Sequence, residues 1–274
     1  MYIWRKRATA EWLSDRLDDL LDEFGGALAI IEQPGSPRSV VQISTTKKKG
    51  DHLVRESGGT LERLPTDWLQ QYAKQSRTKP LRIGSRLTVE PTPGARNEKT
   101  IVIPAEAAFG TGQHATTAMC LRLVERMTRR WPHGWRMLDA GTGSGILAIG
   151  GARFGAGRVI AIENDPVASA TAARNAKINR VSNIKLRVGD VLQQKLTGRF
   201  DLITANLYTE ILIAALPAWR RHLTDDGLLI LSGVLRSQER ILLAALRRNR
   251  LAAREIKRRG KWIALLAEPI RKNS

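Results

Sequence analysis

The sequence predicts a Rossmann-like α/β fold: a mostly parallel sheet of seven strands with helices on both faces, behind a small N-terminal α+β domain. Three observations carry this. First, Arg136 to Ile149 reads as an apolar strand that ends in the turn Asp139-Ala140-Gly141-Thr142-Gly143-Ser144-Gly145 and runs into a helix. A strand, glycine turn and helix in that order are half of a nucleotide-binding α/β unit. Second, strands and helices alternate from Met137 onward, the pattern of a parallel sheet buried on both faces. Third, the chain closes on two strands, Leu251 to Arg258 and Lys261 to Glu268, with only Arg259-Gly260 between them. That spacing makes the last pair a hairpin, so one strand runs antiparallel.

Composition sets the outer bounds. The chain has 274 residues and is 42% hydrophobic, enough for one large or two modest domains with a sizeable core. One cysteine, Cys120, excludes an internal disulfide and fits a reducing, cytoplasmic compartment. No apolar run is long enough to span a membrane, and Met1 to Ala10 lacks the apolar core of a secretory signal. The net charge is +19, and it is uneven: +4 over residues 1–100 and +15 over residues 101–274. A field of that sign favours anionic partners such as rRNA or a ribosomal subunit; a plain solvated basic surface is the alternative. The four histidines and single cysteine show no ligand spacing, so no metal is expected.

In chain order, Tyr2 to Arg7 reads as a strand and Thr9 to Phe24 as an amphipathic helix. Trp12, Leu13, Leu17, Leu20 and Leu21 fall at helical spacing, Thr9 is the N-cap, and Gly25-Gly26 stop the helix. Ala27 to Ile31 and Val40 to Ser44 follow as strands around a Pro34-Gly35-Ser36-Pro37 turn. Lys47-Lys48-Lys49 is read as a solvated loop. These boundaries give a substrate-recognition domain over residues 1–60. Residues 61–100 are read as a linker helix around Trp68, Leu69 and Tyr72 and a strand from Leu81 to Val89; residues 101–274 form the ligand-binding domain. Phe109-Gly110-Thr111-Gly112-Gln113-His114-Ala115-Thr116-Thr117 then offers hydroxyls and free backbone N–H groups at a helix start, which suits a ligand carboxylate. His114 by itself reads more readily as a helix-start residue than as a catalyst. Further strands end at Glu163, at Gly189-Asp190 and at Asn206-Leu207-Tyr208, and Asp225-Asp226-Gly227 reads as a turn. In open α/β sheets the ligand lies beyond the carboxyl ends of the strands. The turn glycines, Glu163, Asp190 and Asn206 all fall at such ends.

The glycine turn discriminates between ligands. A dinucleotide fingerprint needs its third glycine at position 146, where Ile146 stands. The G-x-G-x-G form preceded by Asp139 resembles motif I of class I S-adenosylmethionine (SAM) methyltransferases. SAM has no phosphate, so its site needs room and backbone contacts more than an anion cradle. NAD and FAD are the disfavoured alternatives. Seven strands with an antiparallel final hairpin likewise resemble the class I methyltransferase fold.

Phe-Gly-Thr-Gly-x-His-x-Thr-Thr at 109–117, read with the 139–145 turn about 20 residues later, resembles the bacterial PrmA family, which methylates ribosomal protein L11. The resemblance runs from about Leu81 to the C-terminus. It implies a SAM-dependent protein methyltransferase acting on amino groups of a ribosomal protein. By resemblance, SAM is held by Thr117, Gly141, Glu163 and Asn206. Phe109, Gly110, Thr111, His114, Asp139, Gly143, Gly145 and Asp190 complete the expected cofactor site. Asn206 and Tyr208 are the expected catalytic pair at the acceptor; Tyr208 either lines that pocket or packs in the following turn. The chain departs from the family at Glu163, where Asp is usual, and at Leu207-Tyr208. Only β-α-β-β is readable where the family carries a ferredoxin-like module, so that module is expected to be shortened or altered. The alternatives are methylation of another protein lysine or of rRNA, and a non-catalytic SAM-binding factor of ribosome assembly.

Overall fold

The computed structural model describes residues 2–24, 28–32, 37–63, 80–92, 98–104 and 114–271. It divides into two compact units, residues 1–75 and 76–274.

The first unit is an antiparallel sheet with helices. Its strands are β1 (Tyr2–Thr9), β2 (Leu28–Glu32), β3 (Arg38–Thr45) and β4 (Thr60–Arg63), in the order β2-β3-β1-β4. Helices α1 (Ala10–Ser14) and α2 (Leu17–Phe24) join β1 to β2, and α3 (Lys47–Ser57) joins β3 to β4. Thr9 caps α1 as expected, accepting from the Trp12 N–H at 3.2 Å, but the single expected helix breaks in two at Asp15 and Arg16. The core is Trp4, Ala8, Leu20, Val41, Ile43 and Leu53, with the Trp4 indole donating to Gly58 O at 2.8 Å.

This unit has the topology βαββαβ, one helix and one strand more than the β-α-β-β read from the sequence. Lys47-Lys48-Lys49 is the first turn of α3 rather than a loop. Thr46 caps it, accepting from the Lys49 N–H at 3.4 Å. The helix was illegible because only Gly50 and Leu53 are buried along it, leaving no apolar period to read. Gly50 looks like a breaker, yet a Cβ there would stand 2.3 Å from a Leu61 methyl of β4. The residue that hides the helix from the sequence is the one that lets the last strand pack.

The second unit holds the large sheet. Its strands are β8 (Trp135–Ala140), β9 (Ala156–Glu163), β10 (Ile184–Val188), β11 (Phe200–Asn206), β12 (Leu223–Leu235), β13 (Leu251–Arg259) and β14 (Trp262–Pro269). Their order is β10-β9-β8-β11-β12-β14-β13, with β14 antiparallel to both neighbours. Helices α4 (Ala115–Met127), α5 (Ile146–Arg153), α6 (Pro166–Ile178), α7 (Thr209–His222) and α8 (Glu239–Arg248) cover it. Alternate residues of each central strand feed two cores. Met137, Val159, Leu202 and Ile230 pack with α4 and α5; Leu138, Ile160, Ile203 and Leu231 pack with α7 and α8. Burial on both faces is why these strands read as continuous apolar runs.

Two further readings change. Asp225-Asp226-Gly227 is not a turn but an irregularity inside β12, where the partners of Phe200 and Leu202 are Leu223 and Leu228. The span 61–100 is not one linker. Residues 61–63 end β4, while β5 (Leu81–Ile83), β6 (Leu87–Glu90) and β7 (Thr100–Val102) form a small sheet whose Ile83, Leu87, Val89 and Ile101 enter the core of the second unit. The expected helix around Trp68 lies outside the described residues.

Candidate functional site

The glycine turn leaves β8 at the middle of the sheet. Gly141, Gly143 and Gly145 all have positive φ, at 72°, 55° and 81°. The Gly141 and Thr142 N–H groups both donate to Ile162 O at 2.9 Å, which ties the turn to β9. A Cβ on Gly141 would lie 2.3 Å from a Leu207 methyl, so this position takes no side chain.

Asp139 lies under the turn. It is fully buried, and both its oxygens accept hydrogen bonds: from the Thr142 hydroxyl at 2.6 Å, the Ala148 N–H at 3.1 Å and the Thr204 hydroxyl at 2.6 Å. Burial pushes its pKa up to about 6; the three hydrogen bonds oppose the rise and the Glu163 charge adds to it. With its acceptors turned inward, Asp139 can act on a ligand only by fixing the turn and the start of α5.

Glu163 ends β9. Its carboxylate accepts from the Gly143 N–H at 2.7 Å and the Asp165 N–H at 3.2 Å. The Gly189 N–H donates to Glu163 O at 2.8 Å, setting the end of β10 beside the end of β9. Asp190 follows, accepting from the Leu192 N–H at 2.8 Å and from the Gln193 amide at 3.3 Å. It is a turn residue in its hydrogen bonding and an edge residue in its position.

Asn206 ends β11 and donates to the Thr117 hydroxyl at 3.3 Å, joining residues 89 positions apart. Its Oδ1 is buried without a hydrogen-bond partner. A buried amide oxygen left unpaired costs free energy of about 1–3 kcal/mol unless a ligand or water meets it. Thr117 itself is buried in the first turn of α4. Tyr208, next along, is 73% exposed, so it does not pack in the following turn.

His114 is the N-cap of α4. It accepts from the Thr116 N–H at 3.4 Å, lies 2.7 Å from the Thr116 hydroxyl and meets Trp262 edge-on at 5.2 Å between centroids. Burial, then the Lys261 charge, lowers its pKa, which favours the neutral ring that a cap requires. Phe109, Gly110, Thr111, Gly112 and Gln113 lie outside the described residues.

Several supporting residues escaped the sequence reading. Thr204 and Thr142 hold Asp139, and the Asn175 amide donates to Ser144 O at 2.8 Å. Asn179 pairs with both the N–H and the carbonyl of Val102 at 2.7 Å, anchoring β7. Thr204 alone stands out as a polar residue inside an apolar strand; Thr142 lies within the glycine turn, and Asn175 and Asn179 lie among other polar residues of α6 and its end, so nothing in the sequence marks them. Val167 and Leu192, apolar yet 71% and 46% exposed, follow Glu163 and Asp190 on the same edge.

The charged side chains at the ends of β8, β9 and β10 are Asp139, Glu163 and Asp190, all acids. Of these, Glu163 and Asp190 are partly exposed, and two carboxylates at neighbouring strand ends suit a ligand with hydroxyls and amino groups. SAM, with an ammonium, a ribose and an adenine amino group, fits such an edge.

A family model described as ribosomal protein L11 methyltransferase (PrmA) matches residues 26–269. The chain belongs to the PrmA family. Among curated PrmA relatives, the ribosomal protein L11 methyltransferase of Pelotomaculum thermopropionicum is 38% identical over 205 residues, covering 73% of this chain and 65% of that protein. That of Pelobacter propionicus is 36% identical over 206 residues, covering 73% and 66%. This PrmA-family chain thus spans about 65% of the length of the relatives it matches. A crystal structure of ribosomal protein L11 methylase from Lactobacillus delbrueckii subsp. bulgaricus superposes with a TM-score of 0.61 at 30% identity, covering 69% of this chain and 98% of that one. A SAM-dependent methyltransferase from Clostridium acetobutylicum, with a TM-score of 0.50 at 12% identity, shares the fold alone. The class I methyltransferase fold expected from the strand pattern is therefore found.

Proposed function

We propose that this chain is a SAM-dependent methyltransferase that modifies amino groups of a ribosomal protein of the L11 type in the cytoplasm. The observation that carries this is the unpaired, buried Asn206 Oδ1 beside Thr117, on the same edge as the glycine turn and Glu163. Family membership supports it.

Bound SAM supplies a methyl group on a sulfonium, electrophilic enough for direct transfer to an amine. The chain's own residues orient and shield. Glu163, held by two backbone N–H groups, offers its free lone pairs to the ribose hydroxyls. Thr117, at the start of α4, meets the methionine carboxylate, and Asp190 meets the adenine amino group. Val167 and Leu192 give the adenine apolar cover. Gly141 keeps the turn close against Leu207, where a Cβ would displace it, and Asp139 keeps the turn in place from beneath. Asn206 presents its open carbonyl oxygen to the acceptor amine, accepting an N–H and aligning the lone pair. Tyr208, exposed beside it, lines the acceptor entrance. A lysine amine must be neutral to attack, and its ordinary pKa is about 10.4. Desolvation and a neighbouring cation both lower it. Holding donor and acceptor in line and excluding water then accounts for the rate, without a dedicated base. The βαββαβ unit is the substrate-recognition module in this reading.

The test is intact-mass spectrometry of ribosomal protein L11 and of undermodified ribosomal subunits after incubation with the full chain and SAM. Mass gains of whole methyl groups on the protein support the proposal. Methylation of rRNA alone, which the net charge of +19 would favour, replaces it with the second reading.

A further inference from the structure

The net charge has an address. Residues 1–75 carry 11 basic and 11 acidic side chains, so the first unit is neutral and the whole +19 belongs to residues 76–274. Within them, residues 236–261 hold ten basic and two acidic side chains, a net +8, against +11 for the other 173 residues of that unit. This stretch is one structural piece, α8 and edge strand β13 with their flanking turns. Both its acids are already engaged: Glu239 by Arg258, and Glu255 by Arg126 and Lys257. Arg236, Arg240, Arg247, Arg248 and Arg259 are exposed, and among the described residues none has a side-chain partner.

Fold stability does not account for them. Arg247 and Arg248 suit the carboxyl end of α8, and charges on an edge strand discourage sheet extension. Arg240, however, sits in the first turn of α8, where the helix dipole disfavours a cation. Arg236 and Arg259 flank the hairpin end, brought together as the Arg236 N–H donates to Lys261 O at 2.8 Å and Arg259 pairs with Trp262. Arg240 and Arg247 lie two turns apart on one helix face, a rise of about 10 Å. The face therefore runs from the hairpin end to the far end of α8. All five cations are arginines, whose planar forks match phosphate oxygens better than lysine does. The exposed large apolar side chain here is Ile241, and none of the exposed large apolar residues on this piece is aromatic, so it offers no platform for unstacked bases.

We propose that the α8–β13 edge is a binding surface for the phosphate backbone of double-helical RNA. Duplex rather than single-stranded RNA follows from the lack of stacking aromatics, and backbone rather than base reading from a purely cationic face. The choice of RNA over DNA rests on the ribosomal substrate proposed above; the surface itself does not.

The experiment is fluorescence anisotropy of a labelled RNA duplex of about two helical turns with the full chain, over a salt series. The quadruple variant Arg240→Gln/Arg247→Gln/Arg248→Gln/Arg259→Gln is compared with a control of equal charge change, Arg158→Gln/Lys177→Gln/Lys185→Gln/Lys195→Gln, at the opposite edge of the sheet. Expected are binding by the wild type, a loss of about tenfold or more in the edge variant, and a salt slope shallower by roughly 0.9 per lost phosphate contact, with the control near wild type. SAM titration calorimetry confirms that both variants are folded. Equal losses in the two variants, no binding by the wild type at low salt, or tighter binding of single-stranded RNA or of a DNA duplex overturns the proposal. Methyl transfer assayed on the same variants keeps the two readings apart. A chain that binds duplex RNA without transferring methyl groups defeats only the function proposed above, and one that transfers without binding defeats only this one.

Discussion

Asp139→Asn tests whether the buried carboxyl under the glycine turn is a strained charge. Its pKa is raised from 3.8 to about 6, chiefly by burial, with the hydrogen bonds from Thr142, Thr204 and Ala148 offsetting only part of that rise. The folded-state value lies above the unfolded one, so the folded chain binds more protons between about pH 4 and 6. Stability therefore falls as pH rises through that window, opposite in sign to a salt-bridged carboxylate. A rise of about two pKa units amounts to about 3 kcal/mol in full, of which about 2 kcal/mol falls between about pH 4.5 and 7.5. Asparagine keeps the shape. Its oxygen can accept from Thr142 and Ala148 while its amide donates to the Thr204 hydroxyl, and it does not titrate. Urea unfolding of both proteins at a series of pH values gives the difference in stability, from which the remaining titrating groups cancel. Wild type minus variant should fall by about 2 kcal/mol from about pH 4.5 to 7.5. A flat difference, or one that rises with pH, would refute the claim that burial outweighs the hydrogen bonds here.

Other expectations follow from single contacts. Gly141→Ala places a Cβ 2.3 Å from the Leu207 methyl at a φ of 72°, a strain of at least about 1–2 kcal/mol, so calorimetry should find SAM binding weaker by about tenfold or more. Asn206→Ala removes the open carbonyl oxygen and the bond to Thr117. Methyl transfer should slow by about a hundredfold while SAM affinity falls by less than about tenfold, as single-turnover rates and calorimetry would report. Trp4→Ala empties the core of the first unit and should cost it about 3–5 kcal/mol, seen as an early unfolding transition with SAM binding retained.

The second unit was legible because its local signals and its tertiary demands agree. Strands buried on both faces must be apolar throughout, and the turns between them need glycine, proline or a capping acid at fixed places. Gly260 at the hairpin is read from the sequence and found in the structure, whereas the Asp165 cap ahead of Pro166 appears in the structure alone. The strand ends at Glu163, Asp190 and Asn206 were equally visible. What could not be read was the support: Thr204 reaching Asp139 across 65 positions, or Asn179 at the end of α6 pairing with Val102 across 77, because hydrogen bonds between elements distant in sequence leave no period. The first unit failed for a different reason. Its helix α3 is polar almost throughout and contains Gly50, whose purpose appears only when Leu61 of β4 is packed against it.

The division of charge removes an objection to a basic substrate. A chain of net charge +19 should repel a basic ribosomal protein if the field were uniform. The first unit, however, is neutral, and residues 10–24, the α1–α2 stretch, hold six acids and one arginine, a net −5. Opposite signs therefore reside on different parts of one chain. In the two proposals above, the acidic helix pair of the first unit attracts a basic protein and the arginine edge of the second unit binds RNA phosphates, so the two roles do not oppose each other. With a Debye length of about 8 Å at physiological salt, a partner responds to the charges near its own point of contact, so the net charge of the whole chain does not decide its attraction to either unit. A single net charge for the whole chain hides this, and only the division of the chain into its two units reveals it.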